Sequence, residues 1–90
     1  MNLHTKVTIP PQVLANQLDQ EMVILDLVSG TYFGLNPVGA QIWQFLSQGK
    51  TIAEICEEML DKYDVSPSDI ERDVVNLTTQ LLSKNLVQIH

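Results

Sequence analysis

Three helix-start signals in the last two thirds of this chain constrain its fold more than any other feature. Asn36 is a cap residue followed by Pro37, whose missing N–H costs nothing at the first helical position. Thr51 and Glu54 stand at capping-box spacing. Ser66 is followed by Pro67, and Asp69 sits where the helix dipole favours negative charge. Each signal leads into apolar residues at helical spacing: Val38, Ile42, Phe45 and Leu46, then Ile52, Ile55, Cys56, Met59 and Leu60, then Ile70, Val74, Leu77 and Leu81. Gly49 ends the first of these helices.

The first third reads as strands. Val13 to Leu18 is followed by the turn signal Asp19-Gln20. Glu21 to Val28 is rich in β-branched and long apolar residues, and Ser29-Gly30 then offers the positive φ that a tight hairpin needs. Thr31 to Leu35 forms a third run. Lys6 to Ile9 reads as a short strand or an arm, and Leu86 to Ile89 as a short strand or a tail. Strands and helices are segregated, so the expected class is α+β: a three-stranded antiparallel sheet followed by three helices packed on one face.

Ninety residues make one small domain, with no room for a deep catalytic cavity beside a core. Hydrophobic residues at 44% and charged residues at 18% place it among globular chains. The net charge of −6, with only five Lys and Arg, argues against nucleic acid and anionic membrane surfaces as partners. The one cysteine excludes an internal disulfide and a multi-cysteine zinc site, and it fits a reducing cytosol. No apolar run approaches the roughly 20 residues that span a bilayer. The expected location is the cytoplasm.

Residues able to do chemistry are scarce. Cys56 falls inside an apolar stripe, where a thiol packs as a small hydrophobe. His4 and His90 lie near opposite chain ends and are expected to fray. Glu54, Glu57, Glu58 and Asp61 crowd one helix; the pattern suits a solvated face or a docking face for a basic protein. Asp26 interrupts an apolar strand and is expected to point to solvent near a turn, or to meet a cation on a partner. Gly34 and Gly39 belong to no phosphate-binding pattern. No catalytic set, metal or cofactor site emerges, so the chain reads as a non-enzyme.

The stretch Leu25 to Leu46, LDLVSGTYFGLNPVGAQIWQFL, is specific. Ser29-Gly30, Tyr32-Phe33, Leu35-Asn36, Gly39-Ala40 and Ile42-Trp43, then Thr51 to Ile55, Tyr63, Asp73-Val74, Leu77 and Leu81, resemble the PqqD family. Its members are also called RiPP recognition elements, after the ribosomally made, modified peptides they serve. The resemblance covers about residues 13–88 of a single recognition domain spanning 1–90. It implies a winged-helix-like fold and a non-catalytic adaptor that binds the leader segment of a precursor peptide. In the family the leader adds as a strand beside the third strand, in a groove shared with the third helix. Lasso-peptide biosynthesis, with a separate leader peptidase as partner, is the nearer pathway. A PQQ-type role beside a radical SAM enzyme is the alternative.

The residues themselves are compatible with that role. The run Thr31, Tyr32, Phe33, Gly34 and Leu35 carries no charge and no proline, so little blunts its edge against a partner strand. On the third helix, Val75, Thr78 and Leu82 make a semi-apolar strip beside the core stripe, and with Thr79 they are the expected groove residues. Two other readings stay open. A winged-helix DNA binder is disfavoured because Arg72 and Lys84 are the third helix's only cations. A homodimer through the exposed sheet is the other.

Overall fold

The computed structural model describes residues 1–90. Eight elements succeed one another: β1 (Val7–Thr8), β2 (Val13–Leu18), β3 (Glu21–Asp26), β4 (Tyr32–Leu35), α1 (Pro37–Ser47), α2 (Ile52–Lys62), α3 (Pro67–Ser83) and β5 (Gln88–Ile89). β2, β3 and β4 form an antiparallel meander in that spatial order, so β2 and β4 are its edges. β1 and β5 form a separate antiparallel pair. The radius of gyration is 12.4 Å, near the roughly 12 Å expected for this length. No helix is long and apolar enough to cross a membrane.

The helix-start signals act as their residue types dictate. Asn36 accepts the Gly39 N–H at 2.8 Å, and Ser66 accepts that of Asp69 at 3.2 Å. Thr51 and Glu54 close a full capping box. Gly49 ends α1 at φ +79°, and Asn85 plays the same part for α3 at φ +58°. Both ends are Schellman motifs. Lys50 N–H reaches Phe45 O and Gly49 N–H reaches Leu46 O; Leu86 N–H reaches Leu81 O and Asn85 N–H reaches Leu82 O. The Asn85 stop, which lacks the glycine signal, folds Leu86 and Val87 back into the core.

One face of the meander carries the core. Met22, Ile24 and Leu35 point inward against α1, whose Ala40, Ile42, Trp43, Phe45 and Leu46 are buried. α2 contributes Ile52, Ile55 and Met59, and α3 contributes Ile70, Val74 and Leu81. The other face of the sheet stays open, with the cross-strand row Leu14, Leu25 and Tyr32 on it.

Three details differ from the expectation. The second strand stops at Asp26 rather than Val28, because the Asp26 side chain is buried and organises the turn. Its Oδ1 accepts the N–H groups of Val28 and Ser29, and its carbonyl accepts that of Gly30. Asp26 is thus satisfied inside the chain, facing neither solvent nor a partner. The third strand starts at Tyr32 rather than Thr31. The chain ends do not fray: Val7 pairs with Ile89, and His90 N–H donates to Lys6 O. The arm also caps α2, since the carbonyls of Thr5 and Leu3 accept the N–H groups of Ile52 and Ala53. These are helix-terminal donors with no partner inside the helix.

Candidate functional site

The phase of the β3–β4 ladder fixes which backbone groups of β4 are free. Asp26 N–H donates to Thr31 O at 2.8 Å. Bonded pairs alternate along an antiparallel ladder, so Phe33 opposite Ile24 and Leu35 opposite Met22 also turn their backbone groups to β3. Tyr32 and Gly34 turn theirs outward. Four unpaired N–H and C=O groups therefore line an open edge, free of charge and of proline. A Cβ on Gly34, on the open sheet face that it shares with Tyr32, would meet nothing within 4 Å.

A cleft of about 420 Å³ lies beside that edge. Phe33, Gly34, Leu35 and Asn36 form one wall, and the first turns of α1 supply Val38, Gly39 and Ile42. Asp73, Leu77 and Gln80 of α3 face them. The opening exists because α3 packs along α2 and stands off from β4. A smaller cleft of about 250 Å³, lined by Leu18, Glu21, Met22 and Val23, shares Gly34, Leu35 and Asn36 with the first. The β4 end is thus a ridge with a hollow on either side. The β2 edge is just as unpaired, but of its residues only the last, Leu18, borders either of these two hollows.

Of the residues expected to bind, Phe33, Gly34 and Leu35 line the cleft, Tyr32 lies on the open edge, and Thr31 precedes it. The α3 residues fall elsewhere. Thr78 is fully buried, its hydroxyl donating to Val74 O at 2.8 Å, so it belongs to the core stripe. Val75 and Leu82 pack partly buried against the core, and Thr79 is exposed; none of the three lines the cleft. Val75 and Leu82 share a flank with Glu71, whose charge is felt by the Cys56 thiol of α2. That flank faces α2, and the opposite flank faces β4. Leu77, expected in the core, is half-buried in the cleft wall instead. Asp73 and Gln80, absent from the semi-apolar strip, complete that wall. Their spacing to Leu77 is helical, but only the side on which α2 packs decides which flank stays open.

The groups with chemistry are elsewhere or quiet. Burial, and then the Glu71 charge, push the Cys56 thiol up, which keeps it protonated. His4 and His90 end up on segments joined by the β1–β5 pairing, and no group of three or more His, Cys, Asp or Glu could hold a metal. Every buried side-chain polar atom has a partner. The site offers an edge, an apolar hollow and a few polar rim groups, which suits the binding of an extended chain.

The sequence and the fold have counterparts among known proteins. The family model for coenzyme PQQ synthesis protein D (PqqD) matches residues 21–87. The solved structure of TbiB1 in complex with the TbiA(beta) leader peptide is 38% identical; it covers 89% of this chain and 93% of its own, with a TM-score of 0.83. The solved structure of a lasso peptide synthetase B1 complexed with the leader peptide is 33% identical, covers 91% and 96%, and also has a TM-score of 0.83. No curated protein matches the sequence.

Proposed function

The chain belongs to the PqqD family, and from that premise we propose that residues 1–90 act as a non-catalytic adaptor for a leader peptide in lasso-peptide biosynthesis. The leader adds as a fourth strand to β4, and its inward side chains enter the cleft against Phe33 and Leu77. The adaptor then presents the precursor to a separate leader peptidase. The observation that carries this reading is the open β4 edge at Tyr32 and Gly34 with the cleft beside it. The N-terminal arm does not seal that edge, because it is engaged with β5 and α2.

The magnitudes suit a transient complex. Four edge hydrogen bonds at about 1 kcal/mol net each, with two or three apolar anchors at about 1.5–3 kcal/mol each, stabilise it. Ordering a disordered leader costs about 1 kcal/mol or more per fixed residue. The remainder falls around micromolar to high-nanomolar affinity.

An NMR titration of the full chain with synthetic leader peptides of lasso precursors tests the proposal. The amides of Tyr32 and Gly34 should move most. Largest shifts on Glu54 to Asp61, or no binding, would remove it. A second reading, a homodimer through the open sheet face, is favoured by the row Leu14, Leu25 and Tyr32, of which Leu14 and Tyr32 are 51% and 73% exposed. Sizing the protein with and without leader separates the two.

A further inference from the structure

The α3 wall of the cleft has a polarity. Asp73, Leu77, Gln80 and Lys84 recur at i, i+4, i+7 and i+11, which is about three turns along one helix face. The first three line the cleft, and the Lys84 Nζ lies 5.9 Å from the centre of the Phe33 ring, another lining residue. The stripe therefore reads acid, apolar, amide, cation, and it runs past β4. At 1.5 Å rise per residue, the two charges stand about 16 Å apart along the helix axis. An extended chain covers that distance in about five residues, at roughly 3.3 Å each.

Helix-dipole stabilisation does not account for both charges. Asp69 already occupies the first turn of α3, and Asp73 lies a full turn deeper, beyond the reach of the dipole. Arg72 touches Asp73 only loosely, at 3.8 Å, and it is held more closely by Asp69 at 3.2 Å. The Asp73 side chain is 55% exposed.

We infer that this stripe selects the charge order of the bound peptide: a cationic or hydrogen-bond-donating side chain against Asp73, and a carboxylate about five residues away against Lys84. This rests on the strand-addition reading. All pairings in the meander are antiparallel, and the Phe33 ring under Lys84 marks the early end of β4. A strand added in the same sense runs from the Asp73 end towards Lys84, so its cation precedes its anion. The exposed charges set order and encounter, while the apolar centre of the stripe supplies the anchor.

The test is a display selection of randomised decapeptides on the full wild-type chain and on the double variant Asp73→Lys with Lys84→Asp. Selected peptides should place Lys or Arg about five residues before Asp or Glu. The double variant should invert the order. Synthetic pairs differing only in charge order should differ about two- to fivefold in affinity for each charge contact, and the difference should shrink in high salt. Peptides that compete at Tyr32 and Gly34 but show no charge order, or the same order on both proteins, would overturn the charge selection and leave strand addition standing. A selection that enriches nothing would overturn strand addition and this inference with it.

Discussion

Leu77 is the residue on which the cleft turns. It faces Phe33 from α3 and is only half-buried, so a charge there remains hydrated in the free protein. Leu77→Asp should cost at least about tenfold in peptide affinity, read by calorimetry, with an unchanged far-UV spectrum. Val75→Asp should do the reverse: it buries a charge against α2, lowers the thermal midpoint and touches no lining residue of the cleft. Glu54 makes the pH prediction. Its hydrogen bonds with Thr51, from the backbone N–H first, hold the carboxyl below the usual range. A depressed folded pKa contributes stability that is present above the ordinary glutamate value and lost as pH falls through the lowered one. Thermal midpoints should therefore decline in acid below about pH 4.5, and Glu54→Gln should flatten that part of the decline.

At the scale of elements, the edge of β4 yields to a backbone test. The N–H of Gly34 points away from β3, so Gly34→Pro removes a donor from the open edge and none from the ladder. Peptide affinity should fall about tenfold or more by NMR titration, while β3–β4 cross-strand contacts persist. The elements were legible because their punctuation is local. Asn36, Thr51 and Ser66 each cap the helix that begins one residue later, wherever that helix sits, and the strand–turn–strand order needs only neighbours. The groove side of α3 was not legible. Val75 with Leu82, and Asp73 with Leu77, are equally good helical stripes; the docking of α2 chooses between them, and that is a long-range contact. Asp26 was misplaced for a similar reason. A carboxylate in an apolar strand looks exposed until the turn N–H groups that it gathers are seen.

For the whole molecule, the pairing of β1 with β5 joins the two ends of a chain whose core is built between them. Val7 is buried in that core, and Leu86 and Val87 are buried just before β5. Val7→Ala should destabilise by about 1–2 kcal/mol, a fall of several degrees in the thermal midpoint of a domain this size. The same change should leave the affinity of the folded protein for peptide within about twofold, since Val7 lines neither hollow. A larger loss of affinity measured well below the melting temperature would mean that the clasp and the peptide edge are coupled. The PqqD resemblance, read from residues 25–46 and the helices beyond them, held over the matched span of 21–87. The clasp lies outside that span, and nothing in the two-residue segments Val7–Thr8 and Gln88–Ile89 marks them as partners.

The clasp has a practical corollary. Because Val7 and Ile89 are ladder partners, the backbone enters and leaves the domain at one place, and neither β1 nor β5 lines the cleft. The domain is therefore built like a plug on a single cord: a fluorescent reporter, a surface tether or a whole catalytic protein can be spliced on at either end, or the ends can be looped together and the chain reopened elsewhere, with the receiving groove still facing outward.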